Sequence, residues 1–146
     1  MLPDVTTIPR ELRELIETGP LAHLSTINAD GSPQVTAIWI GLDGDSIVSG
    51  HIHRSQKVKN VERDPRVALS FAAPPTPGAV LAEHAIVRAT ATVEEGGARD
   101  LLFRLGKVYV TPEFEFTAPG DSAGYVLRYK VERVGGVGPW VPAPQH

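Results

Sequence analysis

Leu12, Leu15 and Ile16 recur at helical spacing and predict a helix over Pro9 to Thr18. Thr7 is placed to cap it, Pro9 suits its first turn, and Gly19-Pro20 ends it. From there the period changes. Leu21 to Ile27 reads as a strand, followed by the turn Asn28-Ala29-Asp30-Gly31-Ser32, whose residues tolerate positive φ. Val35 to Leu42 predicts a second strand, rich in β-branched and aromatic residues. Asp43-Gly44 makes a tight hairpin into a third, Ser46 to His51. These three strands read as one continuous antiparallel meander.

A short helix follows over Arg54 to Arg63, with Val58 and Val61 as its apolar positions and Asp64-Pro65 as its stop. Arg66 to Ala73 is a fourth strand, and Pro74-Pro75-Thr76-Pro77-Gly78 is a loop that cannot continue a ladder. Val80 to Val93 alternates as one long strand or two short ones. Ala98 to Val108 predicts a helix with Leu101, Leu102 and Leu105 on one face. Thr111 to Asp121 is acidic and aromatic without clear period. Gly124 to Val134 is the last strand, and Gly135 to His146 is a Gly/Pro-rich tail containing Trp140. The expected fold is mainly β: a six-stranded antiparallel β-barrel with a few short peripheral helices, because closure removes the edges of so many short strands.

Length and composition fit that picture. The chain has 146 residues, 42% of them hydrophobic, enough for one core. With no internal repeat and no linker, residues 1–146 are expected to form a single domain. A formal net charge of -3 argues against nucleic acid or an anionic membrane as partner, so any ligand phosphate must be met by a local cluster. The absence of cysteine excludes disulfides, thiolate catalysis and Cys-based metal sites, and it is compatible with a cytoplasmic location. Met1-Leu2-Pro3-Asp4-Val5-Thr6 has neither a basic nor an apolar region, so no signal peptide is expected. No apolar run approaches the ~20 residues of a membrane helix.

The segment Gly50-His51-Ile52-His53-Arg54-Ser55-Gln56-Lys57-Val58-Lys59-Asn60 carries the candidate chemistry. A strand ends there and a helix begins, and a helix N-terminus offers unpaired N–H groups and partial positive charge to an anion. Arg54 can fork onto phosphate oxygens, and Lys57 adds a point charge one turn on. The same residues also read as the solvated basic face of a surface helix, and the pattern alone allows both.

The ordered set Gly31-Ser32-Pro33-Gln34-Val35, Trp39, the hairpin, then Arg54-Ser55-Gln56-Lys57-Val58-Lys59-Asn60-Val61-Glu62-Arg63-Asp64-Pro65-Arg66-Val67-Ala68-Leu69 resembles the pyridoxamine-5′-phosphate-oxidase-like split barrels. The likeness runs from about Leu21 to Phe71. It implies a Greek-key split barrel with an FMN or F420 cofactor at a homodimer interface. Thr36, Ala37, Ile38 and Trp39 correspond to the strand lying against the flavin in that family. Gly50, His51, Arg54, Ser55, Gln56 and Lys57 correspond to the ribityl and phosphate contacts. Two positions depart from the oxidase pattern. Its Arg-Lys pair reads Gln56-Lys57 here, with the arginine displaced to Arg54, and a basic position late in its second strand reads Gly41. A lysine with a neighbouring arginine is more similar to the F420-dependent branch. The implied function is an oxidoreductase using reduced coenzyme F420 for hydride transfer to a small unsaturated organic substrate. The alternatives are an FMN-dependent oxidoreductase, or a non-catalytic protein binding a flavin, F420 or a tetrapyrrole.

Other candidates carry less. His51 and His53 share a strand face but lack a third ligand at fitting spacing, so no metal is expected. His23 reads as a satisfied barrel histidine. Trp39 suits either stacking beside a tricyclic ring or ordinary barrel packing. Trp140, isolated in its tail, suggests packing across a dimer or over the partner's cofactor. Pro74–Ala79 and Thr111–Asp121 are expected to shape the substrate pocket, and Tyr125 or Tyr129 to offer a proton. Gly135, Gly136 and Gly138 precede no helix and form no dinucleotide fingerprint. Glu113 and Glu115 do not read as a hydrolase pair, and no serine-hydrolase elbow is present.

Overall fold

Two strands that are neighbours in sequence stand at opposite edges of one sheet, and this single fact dictates the shape of the molecule. In the computed structural model, which describes residues 7–141, the chain runs α1 (Arg10–Glu17), β1 (Ala22–Ile27), β2 (Pro33–Ile38), β3 (Gly41–Asp43) and β4 (Ser46–His51). It continues through α2 (Gln56–Arg63), β5 (Arg66–Ala72), β6 (His84–Glu95), α3 (Ala98–Tyr109) and β7 (Tyr125–Val137). The strand order is β2-β1-β5-β6-β7-β4-β3, with every pairing antiparallel. Only Trp39 and Ile40 separate β2 from β3, and such a link reaches about 11 Å at most. The sheet must therefore curl until its edges adjoin, as a split barrel. The opening hexapeptide read for a leader and residues 142–146 of the tail lie outside the described residues.

Seven strands stand where six were expected, because the predicted strand Val35–Leu42 is broken at Trp39-Ile40. The Ile40 N–H donates to the Tyr109 hydroxyl at 3.0 Å, and the Trp39 ring stacks on Tyr109 at 5.3 Å. A partner 69 residues away thus pulls the backbone out of its ladder. The expected meander of the first three strands is corrected too. β1 pairs with β2 and β5, while β3 and β4 form a separate hairpin on the other edge.

Alternation fills the interior. Ala22 and Leu24 of β1, Val67, Leu69 and Phe71 of β5, and Ala85, Val87, Ala89 and Ala91 of β6 all point inward and are buried. Leu127, Tyr129 and Val131 of β7 complete that layer, and α1 adds Leu12, Leu15 and Ile16 to the same core. Outside the barrel, α3 packs Leu101 and Leu105 over Val48 and Val126, the outward neighbours of Ile47 and Leu127. Gly41 is where α3 touches backbone: a Cβ there would lie 2.6 Å from Leu105 Cδ2. Any larger side chain at that position would require Leu105 to shift.

Local corrections have local causes. Pro9, not Thr7, occupies the N-cap of α1; its extended backbone leaves its carbonyl to accept from the Arg13 N–H at 2.9 Å. Ser55 caps α2, so Arg54 lies before the helix. β6 is one long strand starting at His84, with Val80 and Leu81 exposed ahead of it. A bulge at Arg88/Ala89 lets β6 and β7 bend together. Trp140 is buried in this chain's own core at 8% exposure, which replaces the expected packing across a dimer. His23 faces outward rather than into the barrel.

Candidate functional site: the cleft at the barrel seam

The pairing leaves two bare edges facing each other. β3 covers only Ser46–Val48 of β4, so the Ser49–His51 half has no partner on that side. β2 pairs with β1 alone, leaving its other edge free. Such edges carry unpaired N–H and C=O groups that a ligand can use. A cleft of about 350 Å³ opens here, a usual size for a small-molecule site. Ala37, Ile38 and Trp39 line one wall, Gly50 and His51 the other, and Lys57 of α2 stands at the mouth. Leu21, Leu102 and Phe116 close it with apolar surface.

Six of the ten residues expected from the sequence thus meet in one cleft, and the other four are placed around it. Thr36 and Ile38 share a face of β2. The same face carries Gln34, whose Oε1 accepts from Asn60 of α2, so Thr36 shares the face of β2 that meets that helix. Thr36 Oγ1 is sealed from solvent and has no hydrogen-bond partner. The same is true of Ser55 Oγ, at the helix N-cap. Arg54 turns away: its guanidinium donates to the Glu62 carboxylate at 2.6 Å on the outer face of α2. Gln56 donates to Asn60 Oδ1 at 2.7 Å.

Leu21, Leu102 and Phe116 were not among the expected contacts. Leu102 had a signal, since it shares the predicted apolar face of α3. Phe116 had none, because its segment follows no period. Arg99 holds that segment to α3, donating to the carbonyls of Ser122 at 2.6 Å, Gly120 at 2.8 Å and Ala118 at 3.1 Å. Phe114 meets the edge of Trp39 at 5.9 Å. Trp39 therefore has one face on Tyr109 and still borders the cleft. Residues 74–79 do not line it; Pro74 borders a separate hollow with Leu15, Gly19 and Pro20.

Burial controls the charges. Lys57 sits partly desolvated, which pulls its pKa below the ordinary lysine value. Desolvation, with Lys57 beside it, lowers the His51 pKa from 6.5 to about 4, so the ring is neutral at physiological pH. Tyr129 is fully buried and its pKa is raised by desolvation, so it does not reach the cleft as a proton donor. β4 ends at His51, so His53 lies beyond the strand, and no group of three or more potential metal-ligating side chains exists among the described residues.

The lowered His51 pKa makes stability pH-dependent with a definite sign. Between pH 6.5 and about 4 the unfolded chain takes a proton on this ring that the folded chain refuses, so stability falls on acidification. The contribution is complete above pH 6.5. Since one side of the ring opens on the cleft, about 1–2 kcal/mol of the linkage is expected to survive. Denaturant unfolding of His51→Gln across that window should show a shallower slope than the parent, and an identical slope would contradict the assignment.

A barrel split along one seam, with a helix N-terminus and a lysine at its mouth, defines the structural class. Residues 8–138 match the family model described as Pyridoxamine 5'-phosphate oxidase, and the chain belongs to that family. Among solved structures, an "F420 Reductase" superposes with a TM-score of 0.71 at 24% identity, over 88% of this chain and 98% of that one. An FMN-binding protein from Syntrophomonas wolfei gives 0.63 at 14% identity, over 86% and 83%. HupZ of Group A Streptococcus gives 0.65 at 18% identity, over 90% and 94%. No curated protein matches the chain by sequence. No helix among the described residues is long and apolar enough to cross a membrane.

Proposed function

We propose that this chain is an oxidoreductase that holds a flavin-type cofactor in the seam cleft, coenzyme F420 ahead of FMN, and serves hydride transfer to a small unsaturated organic acceptor. The observation that carries this reading is the sealed, unpartnered Ser55 hydroxyl at the N-cap of α2, two residues before Lys57, which lines the cleft. A buried hydroxyl without a partner costs about 1–3 kcal/mol, and a phosphate oxygen there would relieve it. The free N–H groups of the first turn of α2 add to the same anion site. Thr36 Oγ1 is a second such atom, on the strand that borders the cleft. The residues present therefore fit a phosphate-bearing ring cofactor.

The charge count at the phosphate itself favours F420. Lys57 is the one cation among the described residues that line the cleft, and Arg54 pairs with Glu62 outside it. A phosphodiester, as in F420, carries one negative charge, whereas the monoester of FMN carries about 1.5 to 2. Gly41 supplies no further cation.

The cofactor, when bound, supplies the hydride chemistry. The protein's own part is placement. Ser55, Lys57 and the α2 N–H groups hold the phosphate, and the bare edges of β2 and β4 meet the polar rim of the ring. Trp39, Leu102 and Phe116 keep water away. No side chain in the cleft is an obligatory acid, which suits an acceptor protonated by solvent. The remaining proposals are a single domain, a cytoplasmic location, and a homodimer whose second copy covers the open side of the cleft.

Anaerobic incubation with reduced F420 and a panel of electron-poor alkenes and imines tests the activity. Cofactor oxidation that depends on both protein and acceptor is the expected result. Tight binding of reduced F420 with no turnover across the panel would point instead to a cofactor carrier.

A further inference from the structure

The hydroxyl of Tyr129 lies entirely inside the barrel, and its one polar partner among the described residues is Ser49 Oγ at 2.7 Å. Ser49 is itself fully buried, and its Oγ lies 2.7 Å from His51 Nε2. These three groups form a line from the core to the cleft wall. Such a line can run in two directions. In the first, Tyr129 donates to Ser49, Ser49 donates to Nε2 of His51, and the ring carries its proton on Nδ1. In the second, Nε2–H donates to Ser49, Ser49 donates to the tyrosine oxygen, and the tyrosine hydrogen has no acceptor in the core. If Ser49 instead accepts from both Tyr129 and Nε2–H, the serine hydrogen has no acceptor among the described residues, so only the first arrangement satisfies every buried donor. The penalty on the second is large enough to favour the first by about tenfold or more.

We infer that the Tyr129–Ser49 pair locks His51 as the neutral tautomer protonated on Nδ1, and so presents the cleft with a fixed hydrogen-bond donor for an acceptor atom of its ligand. Nδ1 has no protein partner among the described residues and is not among the sealed polar atoms, so it opens onto the cleft that His51 lines. Burial, with the Lys57 charge beside it, keeps the ring uncharged, in agreement with this state. Ser49 and Tyr129 are positioning residues that act through His51. They select a ring carbonyl or an anionic ring nitrogen over an N–H group at that point. This last step rests on the cofactor reading above, whereas the tautomer itself does not.

The test uses the cofactor-free protein with histidines labelled in the ring nitrogens, and long-range proton–nitrogen correlation NMR near neutral pH. His51→Gln identifies the signal. The expected pattern is a protonated Nδ1 and a bare Nε2; a protonated Nε2 or an imidazolium overturns the inference. Tyr129→Phe removes the orienting donor while keeping the core filled, and the Nδ1–H preference should fall by about tenfold or more. An unchanged preference would show that Tyr129 does not set the direction. Ser49→Ala is the second variant, with the same expected loss. If F420 fails to bind while the wild-type tautomer is as stated, the cofactor proposal fails and the lock stands. If F420 binds equally well to wild type and Tyr129→Phe despite a changed tautomer, the donor role toward the ligand is overturned.

Discussion

Lys57→Ala is expected to weaken F420 binding by about 10- to 150-fold, the loss of a charge-assisted contact of roughly 1.5–3 kcal/mol. The size follows from where the ammonium sits. An exposed lysine facing a phosphate is screened and gains little. Lys57 is half-buried at the cleft mouth, partly desolvated before any ligand arrives, and next to a helix N-terminus. Its charge is therefore used where water competes least. Lys59, two residues on, is exposed on the same helix and does not line the cleft. Lys59→Ala should leave affinity within about twofold, since exposed charges contribute little. Equal affinities for the parent and the Lys57 variant would return the basic run of α2 to a solvated surface.

The second large effect is on stability, at Asn60→Ala. Asn60 is fully buried on α2 and works as a hub. Its amide nitrogen donates to Asn28 Oδ1 at 2.8 Å and Thr26 Oγ1 at 3.0 Å, with Gln34 Oε1 at 3.3 Å sharing one of its two hydrogens. Its carbonyl oxygen accepts from Gln56 and from both terminal nitrogens of Arg63. One amide thus ties α2 to β1, to the turn after it and to β2. Truncation strands several of these partners away from water, and a loss of about 2–4 kcal/mol is expected. For a chain this size that is a fall in Tm on the order of 10 °C. Calorimetry measures it directly, and a fall of under about 2 °C would show that the hub is dispensable. Because α2 presents Ser55 and Lys57, the same variant should also loosen cofactor binding.

Where pattern and partner were both local, the sequence was readable. β4 runs over Ser46–His51 as expected, because Asp43-Gly44 starts it and alternation carries it. The end of α2 falls at Asp64-Pro65 for the same reason. Long-range contacts made the differences. The break between β2 and β3 depends on Tyr109, which no window around Trp39 contains. Trp140 looked isolated because no window of the tail shows the core cluster that it joins.

The cleft divides along the same line. Ala37, Ile38, Trp39, Gly50, His51 and Lys57 were legible because a family-like order of strand, hairpin and helix names them. Phe116 was not, since its place is set by Arg99 gripping loop carbonyls. Arg54 shows what a charge pattern leaves out: its guanidinium pairs with Glu62, eight residues on, a partner that the basic run alone does not name.

The most direct test of the central claim is a side-by-side titration of the purified protein with F420 and with FMN, followed by fluorescence. Saturable binding of F420, tighter than FMN by about tenfold or more, is the expected result for a cleft with one lysine and one helix N-terminus. Failure of F420 to bind, or tighter binding of FMN, would contradict it.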